Sequence, residues 1–317
     1  MSTTAEPLRD DSPAPTEAGL ERGDFAPPGA PLPPASLVVA TYNIRYAVGH
    51  RLISGGLMRR AGLSLPGRRP TLVARNIAKA ALAFTDGRRM PRADLIALQE
   101  ADRGTVRGGR QHVARELSRR LGMSYVRAFA PTPADEEPKA RQWYLDFEER
   151  IRKGEEGDTG VALLSRLPLS GVQRVELPWA ECAWRPRLAV AARVAFAGRS
   201  LQVLNAHVDP HAGVEEQLAQ LRALLAHVGD EGAMTVLLGD FNTLSRRSCV
   251  EARAMLESLG YETPLPTGTG TWRAGPLRLH ADWIFVRALR VRRWGVARGL
   301  RISDHWPVWA EIEPTSE

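Results

Sequence analysis

The chain contains six short apolar runs, each with a polar group at or near one end. They are LVVATYN (37–43), ADLIALQE (93–100), SLQVLNAH (200–207), MTVLLGDFN (234–242), HADWIFV (280–286) and ISDHWPVWAEI (302–312). Apolar runs of this length that are rich in Val, Ile and Leu are more typical of buried strands than of helices. The pattern therefore predicts a protein built largely on buried β-strands.

The polar groups lie at ends of these runs that would meet in a folded sheet. In the first four runs the polar group closes the strand, and in the last two it opens the strand. Strands that run in opposite directions would bring all six groups to one pole of a sheet: Asn43, Glu100, Asn205–His207, Asp240–Asn242, Asp282 and Ser303–His305. Carboxylates and imidazoles gathered over an apolar core are costly unless they bind a metal or carry out chemistry.

One segment has the period of a helix instead. In TLVARNIAKAALAFT (71–85) the apolar positions roughly follow a period of 3.6 residues; they are Leu72, Ile77, Ala80, Ala81 and Phe84. This spacing predicts an amphipathic helix that covers an outer face of the sheet.

The GDFN motif supports two interpretations. The strand period puts Asp240 and Asn242 on one face and turns Phe241 towards the core, while Gly239 leaves room for a close approach. A carboxylate and a carboxamide at this spacing can hold a water or a metal and bind a phosphoryl oxygen. Taken alone, however, the motif is more typical of a turn in which both side chains bond their own backbone.

The other polar groups also have ordinary explanations when each is taken alone. His207 could be a satisfied structural histidine, Glu100 could form an ion pair with an arginine, and Asp282 could cap a turn. Asp304 and His305 are adjacent and cannot both point the same way from an ideal strand. One of them would then face a metal and the other the substrate from a loop.

Composition limits the class of protein. The 317 residues are 44% hydrophobic and 25% charged, which is ordinary for a soluble globular protein. No linker interrupts the pattern between about residues 37 and 314, so we expect one large domain over 37–317. Residues 1–36 carry eight prolines and no apolar signal core, which predicts a disordered tail.

The sequence also bears on the compartment. No apolar run approaches the roughly 20 residues of a membrane helix, so we expect no transmembrane segment. Cys182 and Cys249 form neither a CxxC motif nor a zinc spacing, which is typical of reduced thiols in a cytoplasmic protein. We expect a monomer.

Charge is unevenly distributed. The net charge is +7, yet residues 45–127 hold 18 basic and 5 acidic side chains, and residues 287–301 hold six arginines and no acid. A basic surface of this kind favours a polyanionic partner such as DNA or RNA. The alternative is a compositional bias towards arginine.

Two long stretches have no place in the strand pattern. The basic stretch 46–70 could contact a nucleic-acid backbone or a lipid headgroup, or form an extra flap. In the acid-rich stretch 131–157, Trp143, Tyr144 and Phe147 could stack on bases, although docking on their own domain is more typical. We expect Trp272 in the core or at a rim.

Taken in this order, the motifs resemble those of the endonuclease/exonuclease/phosphatase superfamily of metal-dependent phosphohydrolases. The resemblance extends from TYNIR (41–45) to SDHWPV (303–308), and DTGVALLSRLPL (158–169) and RPRLAVAARV (185–194) look like the family's central strands. LQE, GDFN and SDH are each weak alone, so the order carries the resemblance. It implies an α+β fold, a four-layered α/β/β/α sandwich of two mixed, mainly antiparallel sheets, with 37–317 as the catalytic domain.

The resemblance also implies roles at one end of the sandwich. Glu100 would be the principal ligand of Mg²⁺ or Mn²⁺, with Asn43 and Asp304 near the same ion. Asp240 would orient or deprotonate the attacking water, and Asn242 would hold that water and the phosphate. The number of ions stays open, as does the choice of Asp240 or Asp304 as the base.

The histidines complete these roles. His305 would bind a non-bridging phosphoryl oxygen, with its other ring nitrogen fixed by Asp282. His207 would help the leaving oxygen depart from the opposite side of the phosphorus. A tyrosine tends to occupy the position of His207 in the family's abasic-site endonucleases, so the resemblance is to the DNase, sphingomyelinase and deadenylase branch.

The sequence thus predicts a divalent-metal-dependent phosphodiester hydrolase, a nuclease-type enzyme that binds DNA or RNA through a basic rim. The alternative is a phosphatase or phospholipase C-like hydrolase of a small or lipid phosphate ester. A third hypothesis, a non-catalytic binding module, is disfavoured because the polar set is complete. The shared site residues cannot separate the first two, since substrate choice in such folds depends on loops.

Overall fold

Two β-sheets form the centre of the molecule. The computed structural model describes residues 19–27, 35–50, 68–130, 150–151, 154–181, 183, 185–229 and 233–315. The described strands are, in chain order, β1 (Leu20–Gly23), β2 (Leu37–Asn43), β3 (Leu95–Gln99), β4 (Ser124–Ala130), β5 (Thr159–Ser165), β6 (Ser170–Glu176), β7 (Leu188–Phe196), β8 (Arg199–His207), β9 (Thr235–Asp240), β10 (Trp272–Ala274), β11 (Leu277–Leu279), β12 (Asp282–Arg287), β13 (Leu289–Val296) and β14 (Val308–Pro314). The described helices are α1 (Arg68–Ala83), α2 (Val113–Leu121), α3 (Val214–Leu225) and α4 (Arg246–Ser258).

The sheets are mixed and mainly antiparallel, as predicted. The first has seven strands in the order β1-β4-β5-β3-β2-β14-β13, and the second has five in the order β12-β9-β8-β7-β6. Each sheet contains one parallel pair, β2 with β3 and β8 with β9. The short hairpin β10–β11 stands apart from both sheets.

Side-chain alternation in the seven-stranded sheet creates two of the interfaces between layers. Val39 and Leu95 belong to the core that the two sheets share. Their neighbours Ala40 and Ile96 belong to a second core, formed with Ile77 of α1 and other residues of α1 and α2. Successive strand residues point to opposite faces, so one strand serves both interfaces.

Helices α3 and α4 cover the second sheet. Leu221 of α3 and Leu256 of α4 pack in the same core as Leu237 of β9. The order of layers is therefore helix, sheet, sheet, helix, and the expected four-layered sandwich is confirmed. Within the described residues, no helix combines the length and apolar character that crossing a membrane requires.

Strand β1 differs from the expectation of a disordered tail over residues 1–36. Leu20–Gly23 pairs antiparallel with β4 at the edge of the seven-stranded sheet, and the Leu20 side chain is buried in the core. The segment LERG is too short and too charged for its hydrophobic period to predict a strand. Residues 1–18 and 28–34 of the predicted tail lie outside the described residues.

Strand β1 also carries Glu21 into a buried polar cluster, which we call the edge cluster. One Glu21 oxygen accepts a hydrogen bond from the Tyr125 hydroxyl at 2.6 Å and lies 2.5 Å from His112 Nε2. The other lies 3.7 Å from Nη1 of Arg127, a side chain with 0% exposure. Arg127 also pairs with Asp158.

Arg103 completes the edge cluster. Its Nη2 lies 2.6 Å from Asp158 Oδ2, and its Nη1 lies 3.5 Å from Glu21 Oε2. The cluster therefore sets two carboxylates against two guanidinium groups, with an imidazole and a phenol as further partners.

Several expectations fall where the structure gives no description. Residues 51–67 of the stretch 46–70 and residues 131–149 of the stretch 131–157 lie outside the described residues, together with Trp143, Tyr144, Phe147 and Cys182. Cys249 is described, and it is a buried free cysteine.

Candidate active site

Three adjacent strands of the five-stranded sheet place polar side chains side by side. The register pairs His207 of β8 with Asp240 of β9, and Asp240 with Asp282 of β12. Gly239 permits this arrangement, because a Cβ atom there would overlap the carbonyl oxygen of Ala206 on β8. The close approach expected at this glycine is therefore that of the neighbouring strand.

The seven-stranded sheet contributes Asn43 and Glu100. Asn43 ends β2 and pairs with Gln99 of β3, and Glu100 follows with a φ of 52°. Asn43 Nδ2 donates to Glu100 Oε1 at 3.0 Å and to Asp240 Oδ2 at 2.9 Å. One amide thus joins carboxylates from the two sheets.

Asn43 has a role that the sequence did not predict. Its Oδ1 accepts the backbone N–H of Arg45 at 2.9 Å, so it presents its nitrogen to Glu100 and Asp240. In this orientation it is a donor between two acids, next to the predicted principal metal ligand.

His305 and Asp304 both line the cleft from a loop. Strand β14 begins only at Val308, so the alternation of an ideal strand does not separate the two side chains. His305 Nδ1 lies 2.8 Å from Asp282 Oδ2, and His305 Nε2 lies 3.7 Å from Asp240 Oδ2. Asp282 is fully buried behind His305 and fixes the orientation of the ring.

Two residues near Asp304 were not identified as site residues from the sequence. Arg45 Nη1 lies 3.2 Å from Asp304 Oδ2, and Trp272 Nε1 donates to the same oxygen at 3.2 Å. The position of Arg45 two residues after Asn43 could have suggested it as a site residue. The direction of its side chain, however, depends on a turn with positive φ at Arg45, Tyr46 and Ala47, which the sequence pattern does not predict. Trp272 lines the cleft, in line with the expectation of a rim or core position.

His207 and Asn242 flank Asp240. His207 Nε2 lies 3.7 Å from Asp240 Oδ2, the same distance as His305 Nε2 from that oxygen. The backbone N–H of Asn242 donates to Asp240 Oδ1 at 3.0 Å, and Asn242 Nδ2 donates to the Val208 carbonyl at 2.8 Å. The GDFN motif therefore forms a turn in which Asp240 and Asn242 hydrogen-bond to the backbone, and both residues also line the cleft.

The cleft, counted together with the open solvent at its mouth, contains about 330 Å³ of empty space. Seven of the eight predicted site residues line it, and Asp282 lies behind them. The lining consists of Asn43, Glu100, His207, Pro210, Asp240, Asn242, Leu244, Trp272, Asp304 and His305.

Besides His207, the segment NAHVD (205–209) contains two polar residues that turn away from the cleft. Asn205 Nδ2 donates to the carbonyls of Leu98 and Ala162, so its side chain joins the sheets instead. Asp209 forms a buried ion pair with Arg187, with 2.8 Å between Oδ2 and Nε.

The electrostatics of the site favour a proton on His305 and disfavour charge on Asp240. Burial, with the negative charge of Asp282, raises the pKa of Asp240 to about 7, although His305 and two hydrogen bonds act against the rise. Burial lowers the pKa of His305, but attraction by Asp282 and Asp240 outweighs it and raises this pKa to about 10. A protonated imidazole therefore lies beside a carboxylate whose charged form burial disfavours.

The donor set suits a hard divalent cation. Four buried carboxylates, Glu100, Asp240, Asp282 and Asp304, gather within this pole of the sandwich. Mg²⁺ and Mn²⁺ prefer oxygen ligands, and such a cation would stabilise the charged form of Asp240, which burial and the charge of Asp282 disfavour. Asp240, Asp282 and His305 also offer ligand atoms within 4.8 Å of one another, a grouping different from the predicted set of Asn43, Glu100 and Asp304.

Known proteins match the chain in sequence profile and in fold. The profile of the Endonuclease/Exonuclease/phosphatase family matches residues 40–305. An endonuclease/exonuclease/phosphatase from Beutenbergia cavernae is 20% identical with a TM-score of 0.59, over 89% of this chain and 72% of its own. Among curated proteins, none matches the sequence.

Two further structures share the fold at low identity. TDP2 from D. rerio, complexed with a single-strand DNA product, is 15% identical with a TM-score of 0.54, over 88% of this chain and 99% of its own. The catalytic domain of human Nocturnin with a bound sulfate anion is 17% identical with a TM-score of 0.55, over 93% of this chain and 98% of its own.

Proposed function

Because the chain belongs to the Endonuclease/Exonuclease/phosphatase family of metal-dependent phosphoesterases, we propose that it is a divalent-metal-dependent phosphodiester hydrolase of the nuclease type. One observation carries this proposal: four buried carboxylates and two histidines gather at one pole of the sandwich, around a cleft that opens between the sheets. Such a group is costly in the absence of a ligand or a reaction.

Glu100 is the principal ligand of Mg²⁺ or Mn²⁺ in this proposal, and Asn43 and Asp304 lie near the same ion. The contact of Asn43 Nδ2 with Glu100 Oε1 at 3.0 Å supports their common placement. When bound, the ion neutralises the phosphodiester and polarises its P–O bond.

Asp240 is the residue that holds and deprotonates the attacking water. Its pKa of about 7 suits a base that works near neutral pH. Asp304 is a weaker candidate for the base, because its Oδ2 already meets Arg45 and Trp272 at 3.2 Å each. Asn242 holds the water and the phosphate from the neighbouring turn.

The two histidines have separate roles in this proposal, one in binding the phosphoryl group and one in assisting the leaving group. The Asp282 carboxylate keeps His305 protonated, so the imidazolium binds a non-bridging phosphoryl oxygen. His207 assists the leaving oxygen, and the distance of 3.7 Å between its Nε2 and Asp240 Oδ2 supports this role. Acid assistance of this kind is typically worth about 10²–10⁴ in rate.

A substrate panel tests the reaction class. Plasmid DNA, single-stranded DNA, RNA, bis-p-nitrophenyl phosphate, p-nitrophenyl phosphate and sphingomyelin would each be assayed with Mg²⁺ and Mn²⁺. We expect cleavage of nucleic acid and of bis-p-nitrophenyl phosphate, and reversible loss of turnover in EDTA. Exclusive turnover of p-nitrophenyl phosphate or sphingomyelin would establish the alternative of a phosphatase or phospholipase C-like hydrolase.

Glu100→Gln tests the metal assignment within the same assay. The variant should keep the fold and lose most activity, whereas Glu116→Gln on helix α2 should keep both and serves as the control. Full wild-type turnover in EDTA would contradict the metal dependence.

A further inference from the structure

The arginine-rich segment 287–301 divides into two parts with different environments. On β13, Arg290, Arg292 and Arg293 pair with acids of the neighbouring strand β14, Glu311 and Glu313. The register sets Arg290 opposite Glu313 and Val296 opposite Val308, so these arginines lie towards the end of β13 that is farther from His305. The two glutamates offset two of these three positive charges within the sheet, away from the cleft.

A second group of arginines belongs to the segments that carry the cleft residues Trp272 and Asp304. Arg273 and Arg278 belong to the hairpin β10–β11, and Arg298 and Arg301 belong to the loop that leads to Asp304. Among the described side chains, no ion pair joins any of these four arginines to a carboxylate. The charges of Arg278 and Arg301 instead repel Arg273, and the attraction of Asp304 offsets part of that repulsion.

Trp306 holds two of these guanidinium groups in place. The guanidinium carbons of Arg273 and Arg278 lie 4.8 and 5.3 Å from the centroid of its ring. The tryptophan is 5% exposed and follows His305 directly in the chain. Stacking on one indole fixes both groups at low entropic cost, although like charges repel.

The hairpin is attached to the loop of the active site. The Arg273 backbone N–H donates to the Asp304 carbonyl at 2.9 Å, and Arg273 Nη2 donates to the Leu300 carbonyl at 3.1 Å. Arg273 Nε is buried and has no hydrogen-bond partner among the described residues. The contacts of Arg273 with Asp304 and Leu300 therefore tie the hairpin to the loop that carries His305.

We propose that Arg273 and Arg278, which pack on Trp306, act together with Arg301 to bind a phosphate of the substrate other than the scissile one, so that the preferred substrate is a polynucleotide. The inference rests on the proposed function and deepens it by naming the substrate class. A guanidinium group binds a phosphate with two parallel hydrogen bonds. Several such groups therefore bind a chain with phosphates at regular spacing more tightly than a single phosphate. A small ester presents a single phosphate and gains nothing from this subsite.

Arg278→Gln is the variant that tests the subsite, because Arg278 is exposed and its removal spares the Arg273 contacts to the loop. Arg290→Gln on β13 is the matched control, since it removes an equal charge that is already paired with Glu313. Binding of a fluorescein-labelled dT12 would be followed by anisotropy in EDTA over a range of salt. Turnover of bis-p-nitrophenyl phosphate would be followed with Mn²⁺.

We expect Arg278→Gln to weaken dT12 binding by about 3–10-fold and to lower the log–log salt slope by about 0.7–1, the value of one phosphate contact. Its turnover of bis-p-nitrophenyl phosphate should equal that of the wild type, and Arg290→Gln should match the wild type in both assays. Equal loss on both substrates, an unchanged dT12 affinity, or an Arg290→Gln effect as large as that of Arg278→Gln would each overturn the subsite.

The two proposals fail in different ways. If bis-p-nitrophenyl phosphate is not hydrolysed at all, the phosphodiesterase assignment is wrong. If it is hydrolysed while wild-type protein does not bind dT12, the phosphodiesterase assignment stands and the polynucleotide subsite is overturned. Weaker turnover of sphingomyelin vesicles by Arg278→Gln, with dT12 binding unchanged, would assign the arginines to a lipid headgroup instead.

Discussion

The edge cluster and the candidate active site are two polar groups of similar composition, but their environments shift the pKa of a buried carboxylate in opposite directions. In the edge cluster, Glu21 and Asp158 face Arg103 and Arg127. Burial raises the pKa of Glu21, but His112, Tyr125 and Arg127 outweigh it and lower this pKa to about 2. At the active site, by contrast, burial and a neighbouring acid raise the pKa of Asp240 to about 7.

The difference separates a structural group from a functional one. A buried carboxylate with a lowered pKa is stabilised in its charged form, so its partners serve the fold. A buried carboxylate with a raised pKa is held in its charged form only at a cost, which is typical of groups that bind a cation or move a proton. Removal of a charge should therefore harm stability in one cluster and activity in the other.

The largest expected effect is on turnover at the active site. Asp240→Asn should lower kcat by about 10³–10⁴-fold, because the proposed base is lost. The same change should raise the free energy of unfolding of the metal-free protein by about 0.5–2 kcal/mol, since a disfavoured charge is removed. Steady-state kinetics and urea unfolding of one preparation check both results. A large loss of stability would place Asp240 with the structural group.

The reverse pattern is expected in the edge cluster. Arg127→Met should lower the free energy of unfolding by about 3–5 kcal/mol, because it leaves the Glu21 and Asp158 carboxylates partly unpaired in a buried place. Turnover per folded molecule should equal that of the wild type. Urea unfolding and active-site titration measure the two quantities, and a kcat deficit in fully folded Arg127→Met would contradict the separation.

A variant of His207 tests whether this histidine serves the reaction or the fold. His207→Ala should lower kcat by about 10²-fold with Tm nearly unchanged, since the imidazole assists the leaving group in the proposed reaction. Kinetics and thermal unfolding together check the result. If the variant loses mainly stability, His207 is a structural histidine of the NAHVD segment.

The two clusters should also respond to pH with opposite signs. Glu21 has a folded pKa below its unfolded value of 4.5, so its contribution is present above 4.5 and is lost as pH falls towards about 2. Asp240 has a folded pKa above its unfolded value of 3.8, so the metal-free protein should lose stability as pH rises from 3.8 to about 7. Each effect is on the order of 1–3 kcal/mol.

Urea midpoints recorded in EDTA from pH 2.5 to 8 measure both responses. Glu21→Gln should flatten the acid limb alone, and Asp240→Asn should flatten the limb towards neutral pH alone. A profile that neither variant alters would show that other groups dominate the titration.

The strands that carry the site could be predicted because they are buried on both faces. The run 37–43 coincides with β2, and the runs 93–100 and 234–242 contain β3 and β9 with small shifts at the ends. A strand between two packed layers is apolar throughout, so its composition is a strong signal. Strands β1 and β13 were not predicted, because edge strands expose charged side chains.

The site was predictable in its members but not in their contacts. Sequence order could gather Asn43, Glu100 and Asp240 at one pole, yet the orientation of the Asn43 amide depends on the turn that follows β2. The sequence also could not predict which arginines are paired with carboxylates and which face solvent. A charge count cannot show that Arg107 and Arg127 are buried in ion pairs, while Arg278 faces solvent and pairs with no carboxylate among the residues that the structure describes.

Strand β14 determines when the larger sheet can close. It lies between β2 and β13, so the earliest long strand of that sheet obtains its neighbour on one side from residues 308–314. Until residues 308–314 have been synthesised, the β2 edge stays open as a template on which another chain could add. Contacts of such long sequence separation form slowly, and we expect refolding to be limited by insertion of β14 and to compete with aggregation at high protein concentration.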